Sequence, residues 1–512
     1  MKTSLIRYLE ETVARAPERV AVWAANREYT FLELAKRAQM AARMLHDIDS
    51  AKGCIVGVYL PKCFGVNVAN FATLMSGNAF MNLDVKTPVD RIDGILKTVE
   101  PLAIVTDAKG HKALADVWNG AFLMIEDVLE KQNDMLEYVP NWDFFGHNMI
   151  DSDPFCIINT SGSTGTPKSV VTPWRCFQNF ALWSIECAGF RQDEETSASI
   201  SPIFFDAWVQ DILLMATIGL AQVQVPDSYR MFPIKVLQLM REQRVTYILW
   251  VPTYMTIIAN SGLVERFPIP TLRTCWFAGE VLPPHQINIW MRAHPQATFV
   301  NLYGPMEVSE VCTYYVLPGI MDESKPIPIG KAIDNYDVRL IKDDGQIVTD
   351  PYVEGEICAR GNIAFGYYGL REKTDSVFRQ VPYHNKYEDK FYHTGDYGMY
   401  DEDGNILFCG RKDSLIKHSG YRIELSEIEH VITNTLRLVV NGCVVYNKDQ
   451  KQIVLFYENP EEISPADFRQ RIGSNLPSYM IPTEYRHVSA LPRGGTGKID
   501  RGLLTRQVNR TK

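Results

Sequence analysis

The segment with the clearest chemical potential runs from Asn159 to Lys168 and follows the apolar run FCII. Its sequence, NTSGSTGTPK, combines glycines, hydroxyl side chains and one lysine. Glycine lets the backbone bend so that successive N–H groups converge on an anion. The hydroxyls add donors and Lys168 adds positive charge. Gly162 and Gly165 are too close together for the Walker A pattern. The segment predicts a phosphate-binding loop, and the alternative is a flexible Ser/Gly surface loop.

The elements around this loop predict an α/β fold. Apolar, strand-like runs occur at 54–60, 102–107, 155–160, 246–252 and 298–304, and helix-like patterns at 234–243 and 283–294. This alternation predicts layered α/β units with parallel sheets, in which ligands bind at the carboxyl ends of strands. After about residue 335, short strands and Gly/Asp turns predict a smaller β-rich subdomain. We expect an N-terminal core over 1–412 and a small α+β domain over 413–512.

Composition restricts the class of protein. The 512 residues are 46% hydrophobic and 22% charged, as in globular proteins with more than one folding unit. The net charge of -9 argues against a nucleic-acid partner. The N-terminal 20 residues predict an amphipathic helix with Leu5, Tyr8, Leu9 and Val13 on one face, not a signal peptide. No stretch approaches the roughly 20 apolar residues of a membrane span. The ten cysteines form no CxxC pair, which favours a reduced, cytoplasmic protein.

A series of segments, in this order, resembles the adenylate-forming superfamily of acyl-CoA synthetases, luciferases and peptide-synthetase adenylation domains. Besides SGSTGTPK, they are TFLELAKRA (30–38), SGNAFMNLD (76–84), FFDAW (204–208), AGE (278–280), NLYGPME (301–307), GEICARG (355–361), YHTGD (392–396), GRKDSLIKHSGYRIEL (410–425), LPSYMIP (476–482) and LPRGGTGKID (491–500). The resemblance covers nearly the whole chain. It is strongest to freestanding amino-acid adenylation enzymes and D-alanine–carrier protein ligases.

This resemblance implies that ATP and a small carboxylic acid form an acyl-adenylate, and that a thiol then accepts the acyl group. Lys498 would bridge the carboxylate and the α-phosphate, and Glu307 would bind Mg²⁺. In the family the C-terminal domain rotates between the two half-reactions, here about Asp413. The second half-reaction would use the loop that contains Lys417 and Gly420. Taken alone, each position also fits an ordinary surface residue.

The resemblance also implies a nucleotide site. Tyr303 would stack on adenine, Asn301 would bond the base edge, Asp396 would accept hydrogen bonds from the ribose hydroxyls, and Arg411 would contact ribose or phosphate. The other implied positions are Thr160, Ser161, Gly162, Ser163, Thr164, Gly165, Lys168, Gly279, Glu280, Leu302, Gly304, Met306 and Lys498. From the residues alone, Tyr303 also fits a core position and Asp396 an Asx turn.

Two positions depart from the family pattern. Met306 replaces the usual threonine, whose hydroxyl contacts the α-phosphate, and a thioether cannot donate a hydrogen bond. His418 and Ser419 replace the usual Ile-Arg before Gly420. Met306 in particular puts the catalytic rate in question.

Asp206 bears on the choice of substrate. In the amino-acid branch, the aspartate at this position pairs with the substrate's α-ammonium, whereas an aspartate here also fits the cap of a helix. The implied substrate site comprises Phe205, Asp206, Ala207, Gln210, Trp276, Ala278, Leu302, Glu310 and Val311. Trp276 favours a small or flat substrate. Glu310 would meet a second amino or hydroxyl group, or else a protein lysine outside the pocket. The amino acid itself stays open, and alanine of either hand fits.

The acceptor is expected in trans, because no carrier domain or GGxS attachment site follows the last motif. A separate phosphopantetheinylated carrier protein is the first choice and CoA the second. Two rival functions stay open at this point. One is an acyl- or aryl-CoA synthetase of the same fold. The other is a non-catalytic nucleotide-binding or interaction protein, which Met306 favours.

Overall fold

The computed structural model describes residues 4–130, 140–142, 149–160, 167–411, 415–492 and 499–509. The chain forms two compact units. The first comprises residues 1–85, 99–158 and 170–410, and the second comprises 86–98, 159–169 and 411–512. The division into domains over 1–412 and 413–512 stays a prediction. No described helix is both long and apolar enough to cross a bilayer.

The strands alternate with helices in the order expected. Numbered along the chain, the strands are β1 (Val20–Ala24), β2 (Arg27–Thr30), β3 (Ile55–Tyr59), β4 (Ala79–Leu83), β5 (Ala103–Thr106), β6 (Ala121–Met124), β7 (Pro154–Thr160), β8 (Lys168–Pro173), β9 (Thr196–Ser199), β10 (Ala221–Gln224), β11 (Tyr247–Trp250), β12 (Thr274–Ala278), β13 (Thr298–Tyr303), β14 (Thr313–Val316), β15 (Lys331–Ala332), β16 (Tyr336–Ile341), β17 (Gly355–Gly361), β18 (Gly366–Tyr367), β19 (Phe378–Gln380), β20 (Lys390–Tyr400), β21 (Ile406–Arg411), β22 (Leu415–His418), β23 (Tyr421–Glu424), β24 (Asn441–Asn447), β25 (Gln452–Glu458) and β26 (Glu484–His487).

The α-helices are numbered in the same way. They are α1 (Leu5–Arg15), α2 (Phe31–Ile48), α3 (Phe64–Met75), α4 (Val89–Val99), α5 (Ala108–Leu114), α6 (Glu126–Leu129), α7 (Trp174–Ala188), α8 (Asp206–Ile218), α9 (Pro233–Glu242), α10 (Pro252–Asn260), α11 (Leu263–Arg266), α12 (Pro284–Ala293), α13 (Arg371–Val377), α14 (Leu425–His430), α15 (Pro465–Ile472) and α16 (Arg501–Asn509). Short 3₁₀ turns occur at Asp227–Tyr229, Met306–Val308 and Ser478–Met480, and a π turn at Val431–Thr435.

Local sequence explains several helix starts. Thr30 caps α2, because its hydroxyl accepts a hydrogen bond from the Glu33 N–H at 3.1 Å, the threonine half of a capping box. α9, α10 and α12 each have proline within their first two residues, where its missing N–H is no loss. In α1 the predicted apolar face is buried through Leu5, Leu9 and Val13. The helices therefore begin where capping chemistry allows and turn their apolar sides inward.

Two sheets dominate the first unit. One has the order β15-β14-β13-β12-β11-β9-β10-β1-β2, with parallel pairing from β13 to β1. The other has the order β18-β8-β7-β4-β3-β5-β6. Helices α2, α3, α7 and α8 bury their apolar sides in one continuous core that includes Phe31, Phe71 and Trp208. The predicted α/β fold with parallel sheets is confirmed.

The predicted β-rich subdomain is the antiparallel sheet β16-β17-β20-β19, with β21 paired to β20. In β16, buried side chains alternate with more exposed ones from Tyr336 to Leu340, as in an antiparallel strand with one solvated face, whereas three consecutive residues of β17, Ile357 to Ala359, are buried. β20 contains the sequence YHTGD within its eleven residues. This sheet therefore positions Asp396, the last residue of that motif.

The second unit has its own core. The hairpin β22-β23 and the sheet β24-β25-β26 belong to it, and α14 and α15 pack on an apolar cluster that includes Ile428, Leu455 and Phe468. α4 also belongs to this unit, and Arg91 on α4 forms a buried ion pair with Glu427 on α14. The unit is thus an α+β structure, as predicted for the C-terminal part of the chain.

Candidate active site

The predicted phosphate loop joins two adjacent strands. β7 ends at Thr160 and β8 begins at Lys168, and the two strands are neighbours in their sheet. Within the second unit, Lys168 Nζ lies 3.3 Å from Glu424 Oε2, and both side chains are largely buried. Ser169 Oγ donates to Asn159 Oδ1 at 2.7 Å, which links the two strand ends. The predicted phosphate ligands Ser161, Gly162, Ser163, Thr164 and Gly165 lie outside the described residues.

Glu307 lies in a 3₁₀ turn after β13 and is completely buried. Tyr367, in β18, donates a hydrogen bond from its hydroxyl to Glu307 Oε1 at 2.7 Å. The Ala364 N–H donates to the backbone oxygen of Glu307 at 2.8 Å. An oriented carboxylate is the oxygen ligand that Mg²⁺ prefers, so this residue fits the metal that the motif implies. Met306, beside it, is buried and supplies no hydroxyl.

Tyr303 and Asp396 form a buried pair. The Tyr303 hydroxyl donates to Asp396 Oδ2 at 2.6 Å. Burial raises the pKa of Tyr303 well above its ordinary value, and the charge of Asp396 raises it further. The backbone N–H of Asp396 donates a hydrogen bond to Thr394 Oγ1 at 2.9 Å, which fixes the backbone at this position. The base-stacking and ribose-binding positions of the motifs therefore meet in one hydrogen bond.

Two further nucleotide positions are held by hydrogen bonds. Asn301, in β13, donates from Nδ2 to the Pro328 carbonyl at 2.8 Å. Glu280 follows Gly279 after β12, and its Oε2 accepts from both the N–H and the hydroxyl of Thr253, at 2.9 and 2.5 Å. These contacts fix the side chains at the carboxyl ends of neighbouring parallel strands, where the fold predicts a ligand.

Gly304 allows the loop after β13 to fold back on itself. A Cβ atom at this position would lie 2.5 Å from the Glu310 carbonyl oxygen and 2.7 Å from the Val311 Cα. The Cys312 N–H closes the loop by donating to the Tyr303 carbonyl at 2.9 Å. A side chain larger than hydrogen at 304 would separate these segments, so the motif glycine is required by close backbone approach.

Asp206 is the first residue of α8, and Phe205 is the N-cap. Asp206 Oδ1 accepts a hydrogen bond from the Ala207 N–H at 2.9 Å. Gln210 is one helical turn further on, which places it on the same side of α8 as Asp206. Gln210 is only 1% exposed, and neither its Nε2 nor its Oε1 has a hydrogen-bond partner among the described residues.

Glu310 is a buried carboxyl group in a strained loop. Ser309 and Glu310 have φ angles of 59° and 82°, in the left-handed region that side chains with a Cβ disfavour. Glu310 is 4% exposed, and its Oε2 has no partner among the described residues. Burial raises the pKa of Glu310 well above its ordinary value, and the negative charges of Asp206 and Asp211 raise it further. The expected alternative, pairing with a protein lysine, is not found in the part of the chain that the structure describes.

An aromatic cluster surrounds Trp276 in β12. Its indole lies against Trp183, Phe190 and Tyr247, with ring centroids at 5.6, 5.9 and 5.7 Å. Ala278 and Leu302 are opposite each other in the β12–β13 register, and Val311 is completely buried. The Trp276 Nε1 and the Tyr247 hydroxyl are both buried without a partner among the described residues. Large rings thus occupy much of the space near the expected substrate positions.

In the second unit, Lys417 and Gly420 lie on the β22–β23 hairpin. Ser419 and Gly420 form its two-residue turn with φ angles of 52° and 84°, as a type I′ turn requires. The ring of His418 lies 3.1 Å, through Nδ1, from the Tyr446 hydroxyl. Arg411 ends β21. Asp413 and Lys498 lie outside the described residues.

Three residues of the candidate site lie outside all of the sequence motifs. Tyr367 contacts Glu307 across 60 positions, Thr253 contacts Glu280 across 27, and Tyr247 contacts Trp276 from the neighbouring strand. Each partnership depends on how strands are ordered in a sheet. For Thr253 there is a local signal, because Pro252 beside it marks the start of α10 shortly after the end of β11.

Comparison with known proteins agrees with these motifs. The model of the family described as "AMP-binding enzyme" matches residues 9–368, more than half of the chain. Tyrocidine synthase 3 of Brevibacillus parabrevis is 28% identical over 98% of this chain, which spans 8% of that protein. An L-proline–[L-prolyl-carrier protein] ligase of Streptomyces coelicolor is 29% identical over 97% of this chain and 95% of its own length.

A solved structure shares the fold. The Vibrio cholerae adenylation domain AlmE, in complex with glycyl-adenosine-5'-phosphate, superposes with a TM-score of 0.82 at 20% identity and covers 99% of this chain and 98% of its own. The predicted family resemblance is confirmed by the family match. The chain belongs to the AMP-binding enzyme family, whose members form adenylates from ATP and a carboxylic acid.

Proposed function

We propose that the chain activates an amino acid as its aminoacyl-adenylate and transfers it to the phosphopantetheine thiol of a separate carrier protein. Family membership supports adenylate formation. The observation that carries the choice of an amino acid is Asp206 at the start of α8, near the carboxyl groups of Asp211 and Glu310. An acidic region attracts an α-ammonium group and repels a fatty or aryl acid, whose only charge is negative.

In the first half-reaction, a carboxylate oxygen of the amino acid attacks the α-phosphorus of ATP. The new P–O bond forms as the bond to the β-phosphate bridging oxygen breaks, and pyrophosphate leaves. Negative charge builds up between the two reactants, and Lys498 is proposed to offset it. Mg²⁺, when bound at Glu307, supplies further positive charge. The Tyr367 hydroxyl orients the Glu307 carboxylate for this role.

Tyr303, Asn301 and Asp396 are proposed to bind the nucleoside. Asp396 is already held by the Tyr303 hydroxyl, so the carboxylate is oriented before ATP arrives. A preorganised acceptor of this kind favours ribose binding, because the side chain loses little conformational entropy when the ligand binds. Lys168 and the loop before it are proposed to bind the phosphates.

In the second half-reaction, a thiolate attacks the acyl carbon and the C–O bond to AMP breaks, so that a thioester and AMP are released. The thiol proton goes to solvent or to a base. We propose that residues 413–512 move as a domain about Asp413 and that the turn at Lys417 and Gly420 serves this step. The type I′ geometry gives that turn a defined shape. The prolyl-carrier protein ligase supports a carrier protein as the acceptor, with CoA as the second candidate.

Pyrophosphate exchange tests the proposed function. Wild-type protein is incubated with ATP, labelled pyrophosphate and a panel of amino, fatty and aryl acids. We expect exchange with amino acids, and its loss in Lys498→Ala. Exchange with fatty or aryl acids alone would establish the rival CoA synthetase. If the native chain binds ATP but exchanges pyrophosphate with no acid, and Met306→Thr restores exchange, the non-catalytic alternative would be favoured for the native chain.

A further inference from the structure

Four buried polar groups at or beside the expected substrate positions have no hydrogen-bond partner among the described residues. They are the Glu310 Oε2, both amide atoms of Gln210, the Tyr247 hydroxyl and the Trp276 Nε1. Each of these side chains is at least nine-tenths buried. Buried polar groups in native proteins are nearly always paired, so a cluster of unpaired ones needs an explanation.

These groups are close to one another. Gln210 follows Asp206 by one turn of α8, and Trp276 packs edge-on against Tyr247 with ring centroids 5.7 Å apart. The charge of Glu310 acts on the Tyr247 hydroxyl, and that of Asp206 acts on Glu310. Asp206 therefore lies within electrostatic range of Glu310, and Glu310 within range of Tyr247, while Gln210 is one turn from Asp206 and Trp276 packs on Tyr247.

The charges in this region are mainly negative. Asp206 and Asp211 on α8 and Glu310 on its loop influence one another, and the Cys156 thiol of β7 lies within range of Asp206 and Glu310. Lys62 acts on Asp211, whose carboxylate accepts a hydrogen bond from Gln222 at 3.0 Å. Lys62 itself donates to the Ser199 and Ile200 carbonyls. Among the described residues, Glu310 has no ion pair, so ionisation of its carboxyl group would create a negative charge with no counterpart in that part of the chain.

We propose that the side chain of the activated amino acid ends in an amine, which binds Glu310 and Gln210 as an ammonium group. This inference rests on the proposed function, since it assumes that Asp206 binds the α-ammonium. The second ammonium group would provide the positive counter-charge for the Glu310 carboxylate and would donate a hydrogen bond to Gln210 Oε1. Glu310 and Gln210 are thus specificity-determining residues of a diamino-acid site.

An uncharged donor fits these observations less well. A hydroxyl or amide could satisfy the hydrogen bonds of Glu310 and Gln210, but it would leave the negative charges of the region uncompensated. An aliphatic side chain would leave both residues unpaired as well. Only a cationic donor both compensates the negative charge and pairs with the acceptors Glu310 Oε2 and Gln210 Oε1. The rings around Trp276 limit the available length, so the diamino acid that fits best is to be found by experiment.

The experiment compares isosteric pairs in ATP–pyrophosphate exchange. The pairs are 2,3-diaminopropionate with 2-aminobutyrate, 2,4-diaminobutyrate with norvaline, and ornithine with norleucine. Homoserine and glutamine represent uncharged donors. For the preferred length we expect the wild type to favour the amine over its isostere by about 100-fold or more in kcat/KM, because polar sites strongly reject analogues that leave them unpaired.

The variant Glu310→Gln keeps the shape and removes the charge, and we expect the preference to fall at least tenfold. Glu195→Gln is the matched control: Glu195 is equally buried but is already paired with Arg273, so the ratio should stay as in the wild type. If Glu310→Gln does not fold, the wild-type pairs decide alone.

The outcomes separate two failures. Exchange that favours norvaline, homoserine or glutamine over the diamino acids would overturn this inference and leave amino-acid activation intact. An unchanged preference in folded Glu310→Gln would also overturn it. Exchange with no amino acid at all would defeat the proposed function and this inference with it.

Discussion

The hydrogen bond between Tyr367 and Glu307 allows a quantitative test of how the metal-binding carboxylate is held. Tyr367→Phe removes the hydroxyl that donates to Glu307 Oε1 at 2.7 Å and keeps the ring. Both side chains are buried, so water does not readily replace the lost donor. A hydrogen bond to a charged group contributes about 1.5–3 kcal/mol, and we expect the free energy of unfolding to fall by that amount.

Tyr254→Phe is a closely matched control. Tyr254 and Tyr367 are both 6% exposed, but the Tyr254 hydroxyl has no partner among the described residues. Removing a buried, unpaired hydroxyl should leave stability unchanged or increase it. The two variants therefore make the same chemical change in similar burial, and their difference measures the contribution of the Tyr367 hydroxyl, which donates to Glu307.

The assay is denaturant unfolding of the full-length variants by tryptophan fluorescence, with the free energies extrapolated to water. Pyrophosphate exchange across a Mg²⁺ titration provides the second readout, and Tyr367→Phe should need more Mg²⁺ for half-maximal rate. Equal unfolding free energies for the two variants would refute the energetic argument. An unchanged Mg²⁺ requirement in Tyr367→Phe would refute the orienting role, whatever the stability.

Three other predictions follow from the site. Asp206→Ala should raise the KM for the amino acid by about 10–100-fold, the loss of about 1.5–3 kcal/mol, and leave the KM for ATP unchanged in exchange assays. Gly304→Ala should destabilise the protein by about 1–3 kcal/mol in denaturant unfolding, because its Cβ would lie 2.5 Å from the Glu310 oxygen, whereas Gly94→Ala, in open space on α4, should not. Glu310→Gln should become more stable relative to the wild type as pH rises above 4.5, because the raised pKa of Glu310 makes the folded wild type retain a proton that its unfolded chain releases. Denaturant unfolding at several pH values measures this, and a difference in unfolding free energy between the two proteins that does not change with pH would contradict it.

Local sequence predicted the elements well because their signals are local. The pattern at 234–243 corresponds to α9 at Pro233–Glu242, and that at 283–294 to α12 at Pro284–Ala293. Helical periodicity and the start signals of proline act within a few residues. The strand before the phosphate loop, β7, was predicted from its apolar run for the same reason.

The site was predicted less completely because its contacts depend on chain topology. The motif NLYGPME identified Glu307, but its partner Tyr367 is in a strand that reaches it only through the order of the sheet. The left-handed backbone at Ser309 and Glu310 has no local signal, since glutamate is not a residue that favours that conformation. Met306, by contrast, is visible as a departure in the motif itself, and the structure adds that its side chain is buried.

The loop from Gly304 to Val311 combines features that each lower the stability of the isolated protein. Residues with a Cβ held at positive φ cost about 1–3 kcal/mol each, and a buried polar group without a partner costs about the same. Glu310 has both features, and Gln210 adds a second unpaired group nearby. An apolar residue at either position would remove the desolvation penalty, so packing alone does not account for them. A bound ligand that pairs with both groups does account for them, because its binding energy offsets a strain that the folded chain already contains. The same reasoning explains why Asp206 is a weaker indicator of the substrate than Glu310. A carboxylate in the first turn of a helix is stabilising without any ligand, so the position of Asp206 does not require one.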